Sequence, residues 1–179
     1  IKAHSDKTKD MPPTGLIAFC TFYDTAPSFL DKVGFDLQYK GISALTRLHF
    51  RLKESVQSPF LPQEFTVTLY PNSLLVIPLS TNRLYTHEIR PSALPAEMIP
   101  TRLGYVVRCS NTKAIFRDGK THIEEENGTL KELVRGTPED IAALRKLYFE
   151  ENISHETVNY PPIYFSMNDG DYEAPLRSD

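Results

Sequence analysis

Glu64-Phe-Thr-Val-Thr-Leu-Tyr70, then Pro71-Asn72, then Ser73-Leu-Leu-Val-Ile-Pro-Leu79 reads as two short strands joined by a turn-forming pair. The first run is rich in β-branched and aromatic residues, and the second is continuously apolar, as in a buried strand. The same grammar extends outward in both directions. Gly15–Tyr23 is an apolar, aromatic strand, and Leu45–Lys53 carries apolar residues at alternate places. Arg83–His87 and Arg102–Cys109 read as further strands across a proline-punctuated connection. Ala114–Arg117 and Lys120–Ile123 flank Asp118-Gly119, the clearest hairpin signal in the chain. Residues 24–44, with Pro27, Gly34 and Gly41, read as a loop-like insert. Helix signals are confined to the end. Thr137-Pro-Glu-Asp140 supplies a cap, a proline at the first position and first-turn acids, and Ile141, Leu144, Leu147 and Tyr148 then share one face. A helix over about 138–150 is expected there, followed by an irregular, aromatic and proline-rich tail. Many short strands with turns predict a mainly β fold with minor α, a sandwich or barrel.

The 179 residues suit one domain, and 40% hydrophobic content is enough for a core. That composition excludes disorder, collagen-like repeats and a coiled coil, and no internal repeat is visible. Fourteen prolines against eight glycines argue for short elements rather than long helices. No apolar run approaches the roughly 18–20 residues of a bilayer span, so no membrane partner is expected. Cys20 and Cys109 offer no disulfide framework, which suits an intracellular setting, cytoplasm or nucleus. The net charge of −3 is uneven: residues 1–117 hold 14 Lys and Arg against 9 Asp and Glu, and residues 118–179 hold 6 against 14. A positive first part suits an anionic ligand or nucleic acid, although an excess of this size is also common on an ordinary solvated surface.

The candidate chemistry begins at His4-Ser5-Asp6, an imidazole and a carboxylate on one side of an extended segment. Two histidines and one carboxylate make the facial triad of non-haem Fe(II) oxygenases, so a second histidine is required. His49, His87, His122 and His155 are the candidates. His122 lies in an acidic hairpin arm and His155 in the aromatic tail, so His49 is the serious rival to His87. The region downstream decides between them. A dicarboxylate co-substrate needs a cation for its distal end, best supplied by arginine. Arg102 and Arg108 follow His87, and their separation of six places both on one face of a strand, with Gly104 between them on that face. His49 has no such partner, since no arginine occurs between residues 52 and 82.

Together these residues resemble the AlkB family of Fe(II)/2-oxoglutarate-dependent dioxygenases, whose pattern is His-x-Asp, a distal His and Arg-x5-Arg on a double-stranded β-helix. Here the pattern reads His4-Ser-Asp6, His87 and Arg102-x5-Arg108. Asn82-Arg-Leu-Tyr-Thr-His-Glu-Ile89 also stands where the family tends to carry Ser-Arg-x-x-x-His-x-Ile. The resemblance covers roughly residues 2–110. It implies a jelly-roll core over residues 1–125, read as lacking its first strands because His4 stands so early, so the chain is expected to be part of a longer protein. Residues 126–179 would be an acidic extension, with its helix packed on that core.

The resemblance also implies that His4, Asp6 and His87 are the catalytic Fe(II) ligands and that 2-oxoglutarate and dioxygen are co-substrates. Arg102 would hold the distal carboxylate and Arg108 the other end or its surroundings. Arg83, Tyr23 and Asp10 would lie near the substrate or behind the ligands. The reaction would oxidise a C–H bond, with release of succinate and carbon dioxide. A methyl group on a nucleobase of DNA or RNA is the first substrate to consider.

Two departures bear on that substrate. The interval from Asp6 to His87 is long for the family and suggests an insertion within residues 24–62. Thr8 stands where base-repairing members often place an acid. The alternatives are hydroxylation of a protein side chain or small molecule, a TET-like oxidation of 5-methylcytosine, and a non-catalytic β-sandwich interaction module.

Overall fold

The computed structural model describes residues 2–24 and 41–175. Most of the insert read over 24–44 therefore lies outside the described residues. Three small antiparallel sheets make up the β structure. The first has β1 (Leu16–Tyr23) at its centre, between β4 (Ser73–Pro78) and β6 (Arg102–Arg108). The second has β2 (Arg47–Leu52) between β3 (Glu64–Thr68) and β5 (Tyr85–Ile89). The third is β7 (Lys113–Arg117), β8 (Lys120–Glu124) and β9 (Leu130–Glu132).

Pro71-Asn72 does turn the chain, with Asn72 in the left-handed region at φ 53°, a conformation asparagine tolerates. The strands on either side nevertheless lie in different sheets: β3 pairs with β2, and β4 pairs with β1. The turn is thus a corner between two layers. Its side chains specify a local reversal and leave the pairing partners undetermined.

The first two sheets enclose the main core. Ile17 and Phe19 of β1 and Ile77 of β4 meet Leu48, Phe50 and Leu52 of β2 and Tyr85 of β5, with Leu69 from the loop after β3. Strand alternation explains the set, because inward residues recur at every second position. Phe50 stacks on Phe65 at 4.6 Å and 8° between planes, filling the centre of the second sheet. The outward face of the first sheet is also apolar, with Leu16, Phe22, Leu74, Val76, Leu103, Tyr105 and Val107 exposed. Residues 47–52, within the 24–62 interval, form the central strand of the second sheet.

Three sequence readings need correction. Residues 79–84 form a short helix α1 (Leu79–Leu84), so β5 begins at Tyr85 rather than at Arg83. A six-residue helix spans fewer than two turns, too short to show a 3.6-residue period in the sequence. The proposed boundary at residue 125 cuts through the third sheet, since β9 pairs with β8. The connection closes with Gly128 N donating to Glu125 O at 2.9 Å and Gly128 at φ 81°, a type I turn with a glycine bulge that Asn127-Gly128 encodes. The C-terminal helix α2 (Pro138–Ile153) starts at the expected cap, where Thr137 and Asp140 form a capping box, and runs three residues further than expected.

The end of α2 is pinned by a buried lysine. Lys53, at the end of β2, donates from Nζ to the Glu151 and Ser154 carbonyls, the latter at 2.9 Å. These are carbonyls of the helix C-terminus, where a cation is favourable. Burial pushes the ammonium down to about 8, opposed by the Glu151 carboxylate. Lys53→Met should cost about 2 kcal/mol in urea unfolding near pH 7. The folded pKa lies below the unfolded one, so the contribution of Lys53 grows as pH rises from 8 towards 10. The wild-type advantage over the variant should therefore widen across that interval, and a narrowing gap would contradict this account.

Candidate metal centre

His4 and His87 are brought together by backbone pairing. His4 N donates to His87 O at 3.0 Å, and His87 N donates to His4 O at 2.8 Å, an isolated antiparallel bridge along the free edge of β5. Directly opposed residues project to the same side, and the two rings lie 4.6 Å apart. In β5 that side is inward: His87 opposes Phe50 across the β2–β5 pair and meets Phe19 of the first sheet edge-on at 5.4 Å. Asp6, two residues beyond His4, returns to the same side. Its Oδ1 lies 3.9 Å from His4 Nε2.

Ligand atoms of His4, Asp6 and His87 all lie within 4.8 Å of one another, the one such cluster among the described residues. Its donor chemistry suits a divalent first-row ion. His4 Nδ1 donates to the Lys2 carbonyl at 2.8 Å, which leaves the Nε2 lone pair free. His87 Nδ1 and Asp6 Oδ2 are buried without a hydrogen-bond partner, an unfavourable arrangement that a bound cation relieves. Burial pushes His87 down to about 4; Asp6 pulls it up and His4 pushes it further down. The ring is neutral near pH 7, as a metal ligand must be.

Residues given no such role by the sequence reading hold this loop in place. Asn82 of α1, almost fully buried, accepts from Asp6 N at 2.8 Å and donates to Asp6 O at 2.9 Å. From the last turn of α2, Asn152 Oδ1 accepts from Ser5 N at 2.7 Å. The Glu151 carboxylate accepts from Thr8 N at 3.2 Å and from the Thr8 hydroxyl. Asn82 falls within the family-like Asn-Arg-Leu-Tyr-Thr-His segment, whereas Glu151 and Asn152 carry no spacing signal that links them to residue 5 or 8.

The arginines stand where strand alternation put them. In the β1–β6 register Arg102, Gly104 and Arg108 oppose Tyr23, Thr21 and Ile17, so all three share the inward side. Arg108 Nη1 lies 3.9 Å from Asp6 Oδ1, which places it against the carboxylate of the cluster. Arg102 folds along the strand over Gly104, and a Cβ at Gly104 would meet its Cζ at 3.0 Å.

The remaining candidates lie apart from the cluster. Tyr23 OH donates to Leu69 O and accepts from Thr46 N, both at 2.8 Å, tying β1 to the second sheet. Arg83 Nη1 donates to Thr157 Oγ1 at 2.8 Å, fastening α1 to the tail. Asp10 pairs with Lys9 at 2.8 Å and accepts from Thr112 Oγ1 at 3.0 Å. It also lines, with Lys7, Arg108, Phe116, Tyr148 and Phe165, a cavity of about 1180 Å³. His49 points away from the core side that Phe50 occupies and bonds Thr66 Oγ1 at 2.9 Å, and His155 bonds Ser55 Oγ at 3.2 Å.

Comparison with protein-family models, with curated proteins and with solved structures finds no match to this chain. The geometry therefore stands on its own. Asn82→Ala should weaken Mn(II) binding by roughly 10-fold or more, read by electron paramagnetic resonance titration, since partners behind a ligand commonly matter by that much. Unchanged Mn(II) affinity in a folded variant would refute the positioning role.

Proposed function

We propose that this chain is the catalytic part of an AlkB-like Fe(II)- and 2-oxoglutarate-dependent dioxygenase, built on a double-stranded β-helix. The observation that carries the reading is the convergence of His4, Asp6 and His87, from opposite parts of the chain, within 4.8 Å. Arg108, 3.9 Å from Asp6, and Arg102, further along the same inward side of β6, add the cations that a dicarboxylate requires.

Fe(II), when bound with 2-oxoglutarate and dioxygen, supplies the oxidant: the oxoacid leaves as succinate and carbon dioxide, and one oxygen atom enters a substrate C–H bond. The protein's part is to bind, orient and exclude water. His4, Asp6 and His87 would hold the ion and leave part of its coordination for the oxoacid and dioxygen. Arg102 receives the distal carboxylate, and Arg108, beside Asp6, fixes the orientation of the ligating carboxylate. Phe19 and Phe50 pack against His87 and keep that side of the centre dry.

For the substrate, we carry forward a methyl group on a nucleobase of DNA or RNA. The positive balance of residues 1–117 supports it, and Phe116, Tyr148 and Phe165 in the cavity at Arg108 offer rings for a base to stack on, while Asp10, Asp171 and Glu173 there offset the charge of Lys7, Lys9 and Arg108. On an N-methyl group, hydroxylation gives a hydroxymethyl product that releases formaldehyde. A second reading, a non-catalytic β-sandwich interaction module, draws on the exposed apolar side of the first sheet.

Anaerobic titration with Fe(II) and 2-oxoglutarate separates the two, because the interaction module binds neither. In the succinate assay, His4→Ala and Asp6→Ala should abolish turnover, and survival of activity in either would sink the dioxygenase reading. Arg102→Ala should raise the 2-oxoglutarate requirement by roughly 100-fold, the scale of losing charged hydrogen bonds to a carboxylate. Methylated oligonucleotides screened beside peptides and small molecules then identify the substrate class: formaldehyde release from an oligonucleotide supports a nucleobase, and turnover of a peptide alone excludes it.

A further inference from the structure

The outward side of the first sheet is uncharged throughout, because Arg102 and Arg108, the charged residues of its three strands, both face inward. The register sets the outward side chains in rows: Val76, Ala18 and Val107 stand abreast, then Leu74, Cys20 and Tyr105. Phe22 and Leu103 form the next row, and the Phe22 ring meets the Tyr105 ring edge-on at 6.3 Å. Seven large side chains of this side remain 42–61% exposed. On the scale of roughly 150–250 Å² for a large side chain, they leave on the order of 600–700 Å² in one patch. That lies above the roughly 300–600 Å² of the largest patch on a typical monomer. It approaches the roughly 800 Å² that each partner gives to a standard interface.

The relief of the patch defines what fits. Along the central strand the outward residues Ala18 and Cys20 are small, whereas both neighbouring strands carry large ones. Leu74 and Val76 of β4 make one wall of a shallow trough over β1, and Tyr105 and Val107 of β6 make the other. The β6 wall is a ridge that lies one strand spacing, about 4.8 Å, from the trough. A ridge beside a trough of the same length is complementary to a second copy of itself. A two-fold axis along the strands, with the two sheets about 10 Å apart and shifted by one strand, seats each ridge over the other copy's trough. The lack of charge also matches homodimer interfaces, which are more apolar than those between transient partners.

We infer that the outward side of the first sheet is the interface of a two-fold homodimer, in which the β6 ridge of each copy fills the β1 trough of the other. Such an interface is isologous and closed, so association stops at two copies. The inward side of β1 and β6, from which Arg108 reaches Asp6, stays clear of the second copy. The dimer is therefore independent of the dioxygenase reading.

The test is sedimentation equilibrium of the full chain over a range of micromolar concentrations, with circular dichroism to show that each variant is folded. Wild type should have twice the mass of one chain. Tyr105→Arg, or Leu103→Arg as a second ridge variant, sets a charge on the ridge and should raise the dimer dissociation constant about 100-fold or more. Ala18→Leu fills the trough while making the face more apolar. It should weaken the dimer about 10-fold or more, whereas unspecific hydrophobic association would grow stronger. Thr66→Arg, on the outward side of the second sheet, should leave the dimer unchanged. Wild type that is monomeric at every concentration overturns the inference and leaves the patch to a different chain. So does a mass that climbs past two copies, or a folded Ala18→Leu that associates as tightly as wild type.

Discussion

Two backbone hydrogen bonds between His4 and His87 are the constraint on which the rest of the site depends. They add a one-residue bridge to the edge of β5, and the antiparallel geometry does the remainder. Opposed residues share a side, the side is inward, and both imidazoles face the gap between the two sheets. A slip of one residue would turn one of the rings outward and leave Asp6 on the wrong side. The bridge cannot hold its register by itself, which explains why Asn82, Glu151 and Asn152 all bond to the backbone of residues 5–8.

The same logic of sides places the arginines. Strand β6 is an edge strand, more exposed than β1, yet Arg102, Gly104 and Arg108 face inward because they oppose Tyr23, Thr21 and Ile17. A guanidinium at an open edge keeps part of its hydration while reaching the interior, which lowers the cost of bringing a cation near a dry centre. Arg108 thus reaches Asp6, and Arg102 lies above Gly104 on the same inward side.

Much of this was legible from local pattern. The strands around Ile17, Phe50 and Ile77, the Asp118-Gly119 hairpin with both residues at positive φ, and the Thr137 cap all follow from residue chemistry within a few positions. His87 could be preferred to His49 because downstream arginines break the tie. The unread features are those in which distant residues meet. Pro71-Asn72 encodes a reversal, but whether β3 and β4 pair with each other or with different partners depends on how β1 and β2 compete for them. Asn82 sat inside a readable segment without a visible role, because its role depends on a partner 76 positions away. Lys53, a residue type usually left at the surface, is buried because α2 brings two carbonyls to it.

The placement of Glu151 and Asn152 on the last turn of α2 has a consequence for the order of events during synthesis. The His4–Asp6 segment leaves the ribosome long before its partners: it must wait for His87 to pair, and then for nearly the whole described chain before the helix can grip residues 5 and 8. Contacts of such sequence separation carry a high closure entropy and form late. The geometry of the His4, Asp6 and His87 cluster is thus among the last features to mature, and any ion binding there would be coupled to completion of the fold. A bound cation would act as a final fastener, drawing the equilibrium towards chains in which residues 5–8 and the end of α2 have already met.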